Sequence, residues 1–254
     1  MNDIHSHILP GVDDGPKSWE GSLKMLEVAA KDGIKSIAAT PHVIPGLYPN
    51  TKDSIVSLIE ELRLRAAHIP IKIVPGSELQ VSSDTIDGLK TGRYATLNGS
   101  RYALIELPAH FQPKSVFDFI FSLSSSGFVA ILAHPERNAK YQSDKELPYT
   151  LAGMGCLTQI TAGSLEGIFG SGVKKAALDM LEKNLVNIIA SDAHDPVSRP
   201  PIISEGVREA QRLIGSRAVL SLADDIPGLV LDDKKVDILE PERPKARRFF
   251  FFKS

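Results

Sequence analysis

The stretch DIHSHILPGVDDG, residues 3–15, ends a short extended run in two histidines two positions apart, and a turn carrying two aspartates follows before any helical pattern begins. Alternate side chains of an extended strand share a face, so His5 and His7 point the same way with Ser6 opposed, and Asp192 and His194 repeat the arrangement. Similar runs recur down the chain. MNDIHSH, SIAATPH, IKIVPGSEL, YALIELP, FVAILAHP, CLTQITAG and VNIIASDAH alternate with longer segments of helical period, the signature of βαβ units. Residues 18–32 predict a helix with Ser18 as N-cap and Gly33 as its stop, and residues 53–67 put Ile55, Leu58, Ile59 and Leu62 on one face. Weaker helical patterns run over 114–126, 172–184 and 204–214. With no internal repeat or long linker, the expectation is a single α/β domain over residues 1–240, a barrel of seven parallel strands wrapped by helices, with a tail over 241–254.

A chain of 254 residues, 43% hydrophobic and 24% charged, is long enough for one such barrel with a full core. Its formal net charge of −2 gives no reason to expect a nucleic-acid partner. The single cysteine, Cys156, allows no internal disulfide and fits a reducing compartment. No basic segment leading into an apolar one opens the chain, and no run approaches the ~18 apolar residues of a membrane span, so a cytoplasmic protein is expected.

In such a barrel the side chains at the C-terminal strand ends converge on one mouth. His5 and His7 end the first run, His42 the second, Glu78 the third, Glu106 the fourth, His134 the fifth, and Asp192 with His194 the seventh. Five of the seven histidines lie at such ends, while His68 and His110 fall at a helix end and in a loop. Asp14 of the VDDG turn completes a set of five imidazoles and four carboxylates, and Asp13 reads as a turn residue, although sequence alone hardly separates the two. Acids gathered in one mouth carry a desolvation cost that only ions or ion pairs offset. At roughly four to six ligands per ion, the set suits two or three divalent ions, and nitrogen and oxygen donors without thiolate favour Mn, Fe, Zn or Co over a structural zinc cage.

Together, DIHSHILPGVDDGP, TPH, GSELQ, RYALIELP, ILAHPERN, QITAGSLEGIFG and IASDAH resemble the polymerase and histidinol phosphatase (PHP) superfamily. More narrowly, they resemble the bacterial capsule and exopolysaccharide tyrosine-protein phosphatases, from residue 2 to about residue 200. The resemblance implies a distorted TIM-like (β/α)7 barrel and a trinuclear, usually manganese-dependent site at His5, His7, Asp14, His42, Glu78, Glu106, His134, Asp192 and His194. It implies hydrolysis of phosphotyrosine on a partner tyrosine kinase that controls polysaccharide export, with Arg137 and Arg199 binding the phosphate. Val43 departs from the pattern, since many relatives carry a second histidine or another polar residue there.

Divalent ions lower the pKa of a bound water from ~15.7 towards ~7, so hydroxide can attack phosphorus without a protein nucleophile. Arg137, three residues after His134, and Arg199, five after His194, can close on the remaining phosphoryl oxygens through bidentate hydrogen bonds. The plainer readings are a surface ion pair between Glu136 and Arg137 and a loop cap at Arg199. A cysteine phosphatase needs an arginine six residues after its thiolate, yet Ala162 stands there and Cys156 reads as a strand residue. A metal-dependent amidohydrolase typically bridges its ions with a modified lysine on the fourth strand, where this chain has Glu106. GSLEGIFGSG lacks the spacing and lysine of a P-loop and is expected to line the mouth after the sixth strand.

The expectation carried forward is a metal-dependent phosphomonoesterase for phosphotyrosine proteins. The alternatives are a small-molecule phosphatase of the histidinol phosphate type, an exonuclease, and a non-catalytic metal- or partner-binding PHP module. A broad groove rather than a closed pocket would mark a protein substrate. PKARRFFFFKS, residues 244–254, sets four phenylalanines beside Lys245, Arg247 and Arg248. These either fold back on the barrel or meet an anionic membrane surface, holding the protein beside a membrane-anchored kinase.

Overall fold

The computed structural model describes residues 1–243, so the run 244–254 lies outside the described residues. The chain begins with β1 (Asn2–Ser6), α1 (Trp19–Lys31), β2 (Ser36–Ala39), β3 (His42–Ile44), β4 (Tyr48–Pro49), α2 (Lys52–Arg65), β5 (Lys72–Pro75) and β6 (Glu78–Gln80). It continues through α3 (Thr85–Lys90), β7 (Tyr102–Glu106), α4 (Pro113–Ser125), β8 (Val129–Ala133), α5 (Ala139–Ser143), α6 (Leu147–Gly153) and β9 (Leu157–Thr161). Then follow α7 (Ala162–Glu166), α8 (Ser171–Glu182), β10 (Ile188–Ala190), α9 (Ser204–Ile214), α10 (Ser216–Leu220) and α11 (Ile226–Leu231). The helix starts follow capping chemistry. Ser18 Oγ accepts from the Gly21 amide at 3.3 Å, and Thr51 and Ser54 cap α2 reciprocally. Gly33, at φ +86°, ends α1 in the left-handed region.

All seven expected runs form strands, but two of them are broken in half. SIAATPH yields β2 and β3, and IKIVPGSEL yields β5 and β6. Pro41 has no N–H to give to a ladder, and a Cβ at Gly76 would lie 2.8 Å from Thr40 Cγ2. The two strands therefore bend side by side, joined by hydrogen bonds from Gly76 N to Ala39 O (3.0 Å) and Glu78 N to Pro41 O (3.1 Å). The strands accordingly divide into one sheet ordered β1-β2-β5 and another ordered β10-β9-β8-β7-β6-β3-β4, with only the β3–β4 hairpin antiparallel.

The remaining edge does not close as a continuous ladder. Between β1 and the segment after β10 there is one bridge, Ser6 to Ala193, flanked by hydrogen bonds from His7 N to Ala193 O (2.8 Å) and Asp192 N to His5 O (2.9 Å). A side chain replaces the rest. The buried Asp3 carboxylate accepts from the Ser191 amide (3.1 Å) and hydroxyl (2.5 Å), tying β1 to the chain beyond β10.

Alternation along the strands makes two cores. Ile37, Ile105, Leu132 and Ile160 face outward and pack with Leu26, Ile59, Ile120 and Leu181 of the surrounding helices. Ile4, Val74, Leu104, Ile131 and Ile188 face inward, covered at the N-terminal end by Val230 and Leu231 of α11. Expected tail residues pack as well: Glu242 N donates to Lys183 O at 2.8 Å, and the Arg243 guanidinium lies 5.1 Å from the Tyr149 ring. Among the described residues, no helix is long and apolar enough to cross a membrane.

Candidate active site

At the C-terminal end of the strands, the nine donors expected from sequence come together. His5 Nε2 and His7 Nε2 are 3.2 Å apart, and Glu78 Oε2 lies 3.3 Å from each and 3.0 Å from His42 Nδ1. Glu78 Oε1 is 2.8 Å from His134 Nε2, and Asp192 Oδ1 is 3.4 Å from His5 Nε2. Asp14 Oδ1 lies 3.3 Å from His194 Nε2 and 3.6 Å from His42 Nε2. Four overlapping groups result: His7–Asp14–His42–His194, His5–His134–Asp192, His5–His7–Glu78 and His42–Glu78–Glu106, each with donor atoms within 4.8 Å of one another.

These residues fit divalent cations. Glu78 Oε2 and His42 Nδ1 are buried without a hydrogen-bond partner, and two imidazole nitrogens face each other beside them. Such crowded lone pairs are stable only with protons or cations between them. Burial opposes the charge on Glu78, but His5 and His134 hold its carboxyl well below the usual range. Burial, helped by Arg137, pushes His134 down to about 4, leaving a neutral imidazole at neutral pH. Burial and then the charge of Glu78 push Glu106 up to about 7. The hydrogen bond to His194 holds Asp14 below the usual carboxylate range.

Local backbone aims these groups. β8 ends at Ala133 and β10 at Ala190, and the residues that follow turn left-handed: His134 has φ +36° and Asp192 φ +51°. Asp192 and His194 therefore do not continue strand alternation, as the spacing predicts; they meet because Asp192 reverses the local turn. Each such residue costs ~1–3 kcal/mol, which the surrounding contacts must offset. Second nitrogens are held from behind. His7 Nδ1 pairs with Asp13 Oδ2 at 2.7 Å, and His5 Nδ1 with Gln159 Oε1 at 2.8 Å. Asp13 also accepts from the amides of Gly15 (2.9 Å) and His42 (3.1 Å). It thus does more than form a turn: it orients His7, while Asp14 reaches the donor cluster.

Both arginines donate to Asp192 Oδ2, Arg199 at 2.7 Å. The surface pair of Glu136 with Arg137 does not form. Glu136 is fully buried, accepting from the Thr161 amide (3.0 Å) and the Ser164 hydroxyl (2.6 Å), and so pins the turn that carries Arg137. Arg199 closes its loop with its carbonyl, which accepts from His194 N at 2.9 Å, and also sends its side chain to the site. Phe169, from GSLEGIFGSG, places its ring 4.7 Å from the Arg137 guanidinium and 5.7 Å from that of Arg199. Sequence periodicity gave no sign of this contact. The Nε atoms of both arginines are buried and unpartnered, leaving donors for a tetrahedral anion.

The arginines, Asp14, His42 and Glu106 line a cavity of about 510 Å³ that also includes His110, which the sequence places in a loop away from the site. Val43 is buried in the outer core, so its departure from the pattern leaves the mouth unchanged. Cys156 sits one residue before β9, where burial pushes its thiol up to about 12, so it supplies no nucleophile.

The fold and the strand-end donor cluster are those of a PHP-type metal-site barrel. A family model for capsular polysaccharide synthesis proteins, CpsB/CapC, matches residues 1–232, and the chain belongs to that family. It is 34% identical to the tyrosine-protein phosphatase YwqE of Bacillus subtilis, over 99% of this chain and 100% of that protein. It is 31% identical to the tyrosine-protein phosphatase CpsB of Streptococcus pneumoniae, over 93% of this chain and all of that protein, an alignment covering 100% of its length. A crystal structure from work on YwqE and CpsB, described as unique metal-dependent tyrosine phosphatases, superposes with a TM-score of 0.91 at 33% identity, covering 96% of this chain and 100% of that one. The β-aspartyl dipeptidase of Fervidobacterium islandicum shares the fold alone, with a TM-score of 0.58 at 14% identity over 93% of this chain and 74% of that one.

Proposed function

We propose that this protein is a metal-dependent tyrosine-protein phosphatase of capsule or exopolysaccharide synthesis, with the nine donors as metal ligands. The observation that carries the reading is one cavity lined by six of the nine donors, Asp14, His42, Glu106, His134, Asp192 and His194, with two arginines beside them. The activity named for its relatives supports it. Two or three divalent ions, manganese before iron, zinc or cobalt, would supply a hydroxide nucleophile and neutralise phosphoryl oxygens when bound at His5, His7, Asp14, His42, Glu78, Glu106, His134, Asp192 and His194.

The chain's own groups do the rest. Arg137 and Arg199 hold the phosphoryl oxygens, with Asp192 and Phe169 keeping their guanidiniums in place before substrate arrives. Asp13 and Gln159 fix the rings of His7 and His5. A tyrosine phenolate, whose conjugate acid has a pKa of about 10, leaves more readily than the alkoxide of serine, which favours phosphotyrosine. The partner on this reading is an autophosphorylated, membrane-associated bacterial tyrosine kinase, with the run 244–254 drawing the enzyme to the inner membrane face. The test is metal-stripped protein reconstituted with Mn, Fe, Zn or Co and assayed on a phosphotyrosine peptide, a phosphoserine peptide and histidinol phosphate. Metal-restored hydrolysis of phosphotyrosine above the other two is expected. A preference for histidinol phosphate, or no restoration by any metal, would overturn the reading.

A further inference from the structure

Two clefts adjoin the catalytic cavity, each sharing lining residues with it. On one side the cavity shares Arg199 with a cleft of about 160 Å³ lined by Ile168, Phe169, Val197 and Pro200, together with Glu166 and Glu205. That cleft shares Val197, Pro200 and Ile202 with a further groove reaching Lys31 and Asp32 at the end of α1. Across the mouth, the cavity shares Ala109, His110 and Ala139 with a groove that holds Phe111 and Lys140. The two clefts follow from topology. One lies in the loop after β7 and the other after β10, with β8 and β9 between them in the sheet order.

The β10 side presents apolar side chains to solvent: Val197 is 85% exposed and Ile168 56%. They are not on slack chain. Asp195 accepts from the amides of Val197 (2.7 Å) and Ser198 (2.6 Å), bracing the turn that presents Val197. Ile168 adjoins Phe169, whose ring is held against both arginines. A braced, mainly apolar cleft, with Glu166 and Glu205 also in its lining, that shares an arginine with the phosphate cavity is suited to a group covalently continuous with the phosphoryl substrate.

We propose that these clefts form one groove for an extended polypeptide, running from the β7 loop to the β10 loop. The phosphotyrosine sits at Arg137 and Arg199, and a neighbouring apolar residue of the same substrate lies in the Ile168–Val197 cleft. This inference rests on the phosphotyrosine reading and adds to it which part of the substrate is read. A histidinol phosphate-sized molecule would leave the cleft empty.

The test compares p-nitrophenyl phosphate with phosphotyrosine peptides carrying leucine, aspartate or arginine at the positions flanking the tyrosine. The parent enzyme is expected to prefer the leucine peptide to the aspartate peptide by about tenfold in kcat/KM, the scale of burying one aliphatic side chain. Val197→Asp and Ile168→Asp should remove that preference, raise turnover of the arginine peptide, and alter hydrolysis of p-nitrophenyl phosphate by less than about twofold. Equal turnover of all three peptides by the parent would overturn the groove, as would a parallel loss on peptide and p-nitrophenyl phosphate in the variants. If the metal-loaded parent hydrolyses neither aryl phosphate nor any peptide, the phosphatase reading itself fails, an outcome distinct from either of these.

Discussion

The two ends of the barrel are built by the same strands and obey opposite rules. Toward the N-terminal end, Ile4, Leu104, Ile131 and Ile188 fill the interior beneath α11. Toward the other end the same or adjoining segments give His5, Glu106, His134 and Asp192, whose donor atoms fall in overlapping clusters. Each buried aliphatic side chain at the first end contributes ~1.5–3 kcal/mol to folding. Each buried ion at the second costs several kcal/mol unless an opposite charge accompanies it. Stability is thus concentrated at one end and chemistry at the other, and the polar end is tolerable only where its charges compensate one another or would meet a cation.

The comparison breaks most sharply if a donor is dispensable. His7→Ala or Glu78→Ala removes an atom shared by more than one donor group. The expected rate loss on a phosphotyrosine peptide exceeds the ~10²–10³-fold typical of a single stabilising donor. Metal content, read by elemental analysis, should fall with it. A variant that keeps both its metal and its rate would show that the polar end is not the metal site.

The converse change at the apolar end is Ile131→Ala. It should destabilise the fold by ~2–5 kcal/mol in a denaturant titration while leaving turnover per folded molecule unchanged. Loss of specific activity with stability intact would mean that the ends are not separate in function.

Arg137→Ala and Arg199→Ala act at the polar end by removing hydrogen bonds to Asp192 while leaving all nine donors in place. Each should remove ~2–4 kcal/mol of transition-state stabilisation, or about 30-fold to 1,000-fold in rate, with metal stoichiometry unchanged. Phe169→Ala, which removes only the ring beneath the guanidiniums, should cost ~0.5–2 kcal/mol, expressed mainly in KM. Metal loss in either arginine variant would make that arginine a prop for Asp192 rather than a phosphate ligand.

The polar end was legible because its donors lie at or just after the apolar runs that local pattern shows, although His42 and Glu78 open the short strands β3 and β6 instead of ending β2 and β5. His5, His42, Glu78, Glu106 and His134 could be placed from the alternation of short apolar runs with helices. What escaped depends on contacts between distant segments. The paired breaks at Pro41 and Gly76 matter only because their two strands are neighbours, and the left-handed turns at His134 and Asp192 leave no periodic trace. GSLEGIFGSG was expected to line the mouth, but nothing local says that the Phe169 ring will lie against Arg137 and Arg199. Asp13 was separable from Asp14 only once His7 was seen to bond to it. Short elements such as α3, α5 and α10 fall below the length at which apolar periodicity declares a helix.

The smallest expected effect concerns a carboxylate that the compensation of the mouth does not reach. Glu166, at the end of α7, faces Glu205 at the start of α9; burial first, and then the carboxyl of Glu205, push its pKa from the usual 4.5 up to about 7. Glu205 has Arg208 at 3.3 Å, whereas Glu166 has no ion-pair partner among the described residues. Unlike Glu78, which histidines keep ionised, Glu166 holds its proton more tightly folded than unfolded. Between about 4.5 and about 7 the folded state therefore binds more protons, and stability falls as pH rises. This group's favourable share is complete below about 4.5 and lost as pH passes about 7. Glu166→Gln carries no charge at any pH and should flatten that part of the curve. Its melting temperature is expected to exceed the parent's at about pH 8 and to match it at about pH 4.5. Parallel melting curves for the two proteins across this range would mean that water or Arg208 already relieves the pair. The contrast between compensated and uncompensated carboxylates would then not extend beyond the mouth.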